Sequence, residues 1–295
     1  MSDHSLTLSS GRRLVYAEYG DPHGTPLFYF HGWPSSRLQG EIMHDGAIKH
    51  GLRVIAPDRP GIGRSEFQPG RRLLDWPPVI EELAARLGVD KFYLMGVSGG
   101  GPYVLATTYA MPDRVLGSGV CCGAAPLWLV GTKGIMWTYL LGMWTQKYAP
   151  WALGPGLWLS KHIIGQQPEQ WPLRMFLANL GPEDRRALQD IRLRNILNRS
   201  GVEGLSGSTR GIRMDGNIFL YPWGFELSAI QKPVHFWHGG SDRNMPLGLV
   251  QRLAALLPNA ITHWYPEDGH YSLPLLRTEE MTAELVQAET PVQGA

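Results

Sequence analysis

Cysteine is almost missing from this chain: two in 295 residues, Cys121 and Cys122, side by side. Neighbouring thiols inside an apolar run read as packed core side chains, so neither a disulfide framework nor a thiolate metal site is expected. Charge of one sign is scarce too, because 27 basic and 26 acidic residues leave a formal net charge of +1 with no basic run. A nucleic-acid partner needs a concentrated positive surface and is not expected. Polybasic attachment to a membrane is equally unsupported. No stretch approaches the ~20 uninterrupted apolar residues of a membrane span. The start, MSDHSLTLSS, lacks the basic-then-apolar order of a secretory signal, and the expectation is a cytoplasmic protein with no stable membrane association. The ten histidines and scattered acids show no H-E-x-x-H or comparable spacing, so no metal and no cofactor is expected.

What is present is apolar mass. Hydrophobic residues make up 43% and charged ones 18%, which suits a large core and disfavours disorder. The length accommodates one large α/β domain with a sizeable insertion. Leu6–Leu8 and Leu14–Tyr19 flank Ser9-Ser10-Gly11 and read as a hairpin. Continuous apolar runs follow at Leu27–Gly32, Arg53–Asp58, Phe92–Ser98, Val115–Gly123, Val234–Gly240 and Ile261–His270. Such runs lack alternation, as strands covered on both faces do. Helix-like stretches at Pro78–Leu87, Gly101–Ala110 and Pro246–Leu257 separate them. The alternation predicts a mostly parallel sheet flanked by helices, with its ligand edge at the carboxyl ends of the strands.

The alternation stops between about 125 and 225. This stretch holds seven tryptophans and helix-like pieces such as Pro182–Asn198, interrupted by Pro150, Pro155 and Pro168. It reads as a helical cap, 125–225, inserted in a core formed by 1–124 and 226–295. Trp137, Trp144, Trp151 and Trp158 recur every seven residues and would share one helical face. Pro150 and Gly154-Pro155 argue against one continuous helix, so the stripe is expected on two helices. Most of these side chains are expected to pack the cap's own core.

Gly96-Val97-Ser98-Gly99-Gly100 is a G-x-S-x-G sequence between a predicted strand and a predicted helix. There it forms a nucleophile elbow, a sharp turn that exposes the serine hydroxyl and tolerates only small neighbours. A hydroxyl becomes a nucleophile when a base takes its proton and a carboxylate orients that base. Asp242, after one predicted strand, and His270, after the last, lie where sheet-edge loops would converge on Ser98. Asp268 competes with Asp242 but sits only two residues from His270. His31, His235 and His238 are read as structural, and Asp58–Ser65 as a turn without the G-K-[ST] ending of a phosphate loop.

From LFYFHGWP through APDRPGIGRS, GVSGGG and HGGSDRNMP to EDGH, nearly the whole chain resembles the cap-bearing serine hydrolases of the α/β-hydrolase superfamily. The resemblance implies Ser98 as nucleophile, Asp242 as orienting acid and His270 as general base. It implies an oxyanion hole made by the backbone N–H groups of Trp33 and Gly99. Serine at the elbow, where haloalkane dehalogenases and epoxide hydrolases of the superfamily carry aspartate, points to acyl transfer. The expected substrate is a small-molecule ester or related acyl compound, in a pocket lined by Trp33, Val97, Trp128 and Trp137. A C–C bond hydrolase, a lactonase, a haloperoxidase-like enzyme and a slow-turnover ligand receptor remain alternatives on the same fold. No exposed edge strand or heptad seam points to a particular oligomeric state.

Overall fold

A computed structural model of the chain describes residues 2–164, 166, 170–171 and 173–287. Among these residues, eight strands form one sheet: β1 (Ser2–Thr7), β2 (Arg13–Gly20), β3 (Thr25–Phe30), β4 (Leu52–Pro57), β5 (Phe92–Val97), β6 (Val115–Cys121), β7 (Val234–Gly239) and β8 (Ala260–Tyr265). Their order is β1-β2-β4-β3-β5-β6-β7-β8. The predicted hairpin is β1 and β2, and β2 pairs antiparallel with β4, while β3 to β8 run parallel. This is the mostly parallel, helix-flanked sheet that the apolar runs predict.

The lack of alternation in those runs has a simple cause. Phe28 and Phe30 enter one apolar cluster while Leu27 and Tyr29 enter another on the opposite face, and all four are fully buried. Helices cover both sides. They are α1 (His44–Lys49), α2 (Trp76–Arg86) and α3 (Gly101–Ala110), then, after the insertion, α11 (Leu247–Ala254), α12 (Ser272–Leu276) and α13 (Thr278–Gln287). In the insertion come α4 (Leu127–Val130), α5 (Trp137–Tyr148), α6 (Pro150–Ile164), α7 (Leu173–Ala178), α8 (Pro182–Ala187), α9 (Ile191–Gly204) and α10 (Arg210–Leu220).

Three readings of the insertion need correction. Pro182–Asn198 is two helices, because Asp190 caps α9 through hydrogen bonds from the N–H groups of Arg192 and Leu193 and so starts a new helix. Pro155 lies inside α6, and the break falls at Ala149, just before Pro150. Pro168 lies outside the described residues. The third correction is the tryptophan stripe. Trp137, Trp144, Trp151 and Trp158 are 70, 59, 78 and 61% exposed, so they pack no core. The inward face of α5 is taken by Tyr139, Leu140 and Met143, and α6 turns Leu157 inward. With those positions inside, the seven-residue series lies on the outer side.

Candidate active site

Six loops meet at the carboxyl edge of the parallel strands. Ser98 follows β5 directly and stands at φ +52°, a left-handed conformation that few non-glycine residues adopt. The glycines around it make that turn possible. A Cβ on Gly96 would stand 2.6 Å from the Gly100 carbonyl, and one on Gly100 would collide with Phe30 O. A Cβ on Gly101 would press against Val120, so this last glycine serves the packing of α3 on β6.

His270, from the loop after β8, reaches both Asp242 and Ser98. Its Nδ1–H donates to Asp242 Oδ2 at 2.7 Å, and its Nε2 accepts from Ser98 Oγ at 3.0 Å. The carboxylate can only accept, so it assigns the tautomer. Asp242 is held in turn: its Oδ1 takes the backbone N–H groups of Asn244 and Met245, both at 2.8 Å. Burial pushes the Asp242 carboxyl up, but the His270 charge and hydrogen bond, with His238 and the Met245 amide, bring it below its ordinary value. Burial pulls the His270 imidazole down, and the Asp242 carboxylate, helped by Asp184, more than reverses this, so the imidazole ends above its ordinary value. Asp268 takes no part. Its carboxylate faces Arg277 at 3.3 Å.

The loop after β3 is braced from behind. His31 is fully buried and its Nδ1–H donates to Gly32 O at 3.0 Å. Arg59 Nη2 donates to the same oxygen at 2.9 Å and Nη1 to His31 O at 2.5 Å. Gln39 Oε1 accepts the Gly32 N–H at 2.6 Å. In a planar trans peptide the N–H points opposite to the carbonyl. Fixing Gly32 O toward Arg59 therefore turns the Trp33 N–H the other way. Gly99 lies against it, close enough that a Cβ there would stand 3.3 Å from Trp33 N. The Gly99 amide opens the turn that leads into α3, where no preceding carbonyl of the helix can accept it.

Two cavities adjoin these groups. One of about 180 Å³ is lined by Ser98, His270, Trp33, Val97, Leu173 and Leu197, among others. The second, of about 360 Å³, lies beneath α5 and α6 and shares Trp33, Tyr139 and Phe176 with the first. Trp128 and Trp137, expected in the pocket, line neither. Leu127 and Val130 take the buried side of α4, which leaves Trp128 outside.

Two functional carboxylates escaped the sequence reading, and both come from the insertion. Asp184 on α8 accepts the N–H groups of His270, Tyr271 and Ser272 at 3.2, 2.9 and 2.8 Å, and so holds the histidine loop. Asp215 on α10 binds Arg59 Nε at 2.6 Å and also Arg71 and Tyr103 Oη, and so holds the arginine that braces the loop after β3. Burial alone would raise the Asp215 carboxyl, but Arg59 and Arg71 bring it down to about 2. A signal existed. Asp184 is spaced three and four residues before Ala187 and Leu188, and Asp215 three after Ile212 and four before Phe219, on stripes that are otherwise apolar.

Asp184→Ala leaves three inward-facing amides without their acceptor, and its unfolding free energy in urea is expected to fall by about 3 kcal/mol. A change within about 0.5 kcal/mol, the scale of an ordinary surface substitution, would show that the amides find other partners.

Cys121 and Cys122 are buried free thiols, as their position in an apolar run implied. Cys122 stands at φ +47° with its Sγ 3.6 Å from Gly269 O, beneath the histidine loop. Together with Asp242 and His270 it is the one metal-capable cluster among the described residues. Burial pushes this thiol well up, which disfavours the thiolate that a metal would require. None of the described helices is long and apolar enough to cross a membrane.

Comparison with known proteins bears on the fold and the family. The chain is 33% identical over 114 residues to a non-heme chloroperoxidase of Streptomyces lividans, covering 38% of this chain and 41% of that protein. It is 28% identical over 129 residues to a bifunctional esterase/perhydrolase of Acinetobacter calcoaceticus, covering 43% of this chain and 47% of that protein. These matches span less than half the length of either relative. An esterase from Rhodococcus sp. ECU1013 superposes with a TM-score of 0.68 at 20% identity over 99% of this chain and all of that one, a likeness of fold. The sequence profile of the alpha/beta hydrolase family matches residues 23–288. Strand order, serine turn and profile agree: this chain belongs to the alpha/beta hydrolase family, a family of hydrolytic enzymes.

Proposed function

We propose that the protein hydrolyses carboxylic esters through an acyl-enzyme on Ser98, with His270 as general base and Asp242 as its orienting acid. The observation that carries this reading is the continuous chain of hydrogen bonds from Asp242 through His270 to Ser98. Ser98 Oγ attacks the ester carbonyl as His270 Nε2 takes its proton. The carbonyl oxygen becomes an oxyanion, stabilised by the N–H groups of Trp33 and Gly99. The imidazolium then protonates the leaving alkoxide, and a water molecule repeats the sequence to free the acid and Ser98. Residues 125–225 serve as a cap over the core formed by 1–124 and 226–295, and its helices wall the substrate cavities. Apolar side chains such as Leu173, Leu177 and Leu197 suit a small to medium acyl group.

Hydrogen peroxide in place of water would turn the same acyl-enzyme into a peracid producer. The names of the chloroperoxidase and perhydrolase relatives favour measuring this second reading alongside the first.

The test is a panel of p-nitrophenyl esters of rising chain length, with kcat/KM followed against pH. Only neutral His270 can accept the Ser98 proton, so activity is lost as pH falls through the imidazole pKa. That pKa is raised, and the acid limb is therefore expected above the ordinary imidazole value of about 6.5. No hydrolysis of any ester, or a rate that stays flat from acid to neutral pH, would overturn the reading.

A further inference from the structure

The outer face of α5 and α6 is apolar where a surface helix is ordinarily polar. On α5, Trp137, Leu141, Trp144 and Tyr148 recur at helical spacing and are 70, 54, 59 and 62% exposed. On α6, Trp151, Trp158 and Leu159 are 78, 61 and 55% exposed. Single exposed apolar residues are common, but a run of large aromatic ones along one helical hairpin marks a surface that meets something. Among the described residues the aromatic contacts within the stripe are local, Trp144 with Tyr148 and Trp158 with His162, each inside its own helix.

Charge narrows the partner. From Val115 to Pro168 the sequence contains no Asp or Glu, although it carries Lys133, Lys147 and Lys161. Over the whole chain acids and bases nearly balance, so this cationic, acid-free stretch is local. Against the expectation of no stable membrane association, we propose that the outer face of the α5–α6 hairpin docks on a lipid bilayer bearing anionic headgroups. Tryptophan and tyrosine combine an apolar ring with a polar tip and settle at the headgroup level, where lysine meets lipid phosphate. The hairpin lies on such a surface, since neither helix is long enough to span it. A second copy of the chain fits less well: the same hairpin opposite itself would bring lysines together with no carboxylate to pair them. The inner side chains of the two helices, Tyr139, Met143, Leu153 and Leu157, wall the cavity beside Trp33. One hairpin thus faces lipid outward and the cavity inward. The inference stands whatever chemistry Ser98 performs.

The experiment is flotation of the full chain with phosphatidylcholine vesicles, with and without phosphatidylglycerol, at low and high salt. Binding is expected on the anionic vesicles and should weaken with salt. Trp144→Ser combined with Trp158→Ser is expected to bind at least about tenfold more weakly. Both side chains are exposed, so an unchanged melting temperature will verify that the variant is folded. No flotation of the wild type, equal flotation on neutral vesicles, or full binding by the double variant would overturn the proposal. So would a wild-type dimer that the double variant dissociates while neither form binds vesicles.

Discussion

Ser98→Ala is expected to lose at least about ten-thousandfold in kcat/KM on p-nitrophenyl esters, about 5 kcal/mol of transition-state stabilisation. The loss is this large because the hydroxyl is the bond-forming atom. His270, Asp242 and the two amides can still polarise a bound ester, but they have no nucleophile to activate. Stability should barely change. The Ser98 hydroxyl meets only His270, whose Nε2 faces a cavity that water can fill, and alanine keeps the left-handed turn with its strain. A fluorophosphonate probe should add its mass to the wild type and not to this variant. Retention of more than about a tenth of the activity, far above the residue expected after removing a nucleophile, would reject Ser98 as nucleophile.

Asp242→Asn is expected to cost about ten-thousandfold in kcat with the fold intact, and here the reason is which way the amide must face. Asp242 Oδ1 accepts two backbone N–H groups, which demand an oxygen. The asparagine oxygen therefore stays on that side, and its NH₂ turns toward His270 Nδ1. Two donors cannot face each other, so the imidazole shifts its proton to Nε2. In that tautomer it cannot take the proton of Ser98. Asp268→Asn is the control. That carboxylate is directed at Arg277, and its loss should leave kcat within a few-fold of wild type, on the scale of a peripheral substitution. A reversal of the two results would make Asp268 the orienting acid.

The strands and the serine turn were legible in the chain for a local reason. A strand covered on both faces must be apolar at successive positions, as Leu27–Phe30 and Phe92–Val97 are, and a left-handed serine needs glycine on either side. Their places after predicted strands brought Asp242 and His270 into consideration, and the fold sets them within hydrogen-bond distance of each other. The insertion was harder to read. Periodicity grouped Trp137, Trp144, Trp151 and Trp158 on one side, but it could not say whether that side faced in or out. Tyr139, Leu140 and Met143 formed an equally apolar second face, and only contact with the core chose between them.

The sequence by itself therefore determined the α/β order, the mostly parallel sheet and the turn that exposes Ser98, since each depends on residues a few positions apart. Tertiary structure alone decided that Asp184 holds the His270 loop and that Asp215 holds Arg59 behind the Trp33 loop, partners 86 and 156 residues apart. It also decided the protonated nitrogen of His270 and the outward turn of the tryptophans. A carboxylate on a helix stripe has the same local sequence whether it meets water or a buried amide, and only packing supplies the partner that gives it a role.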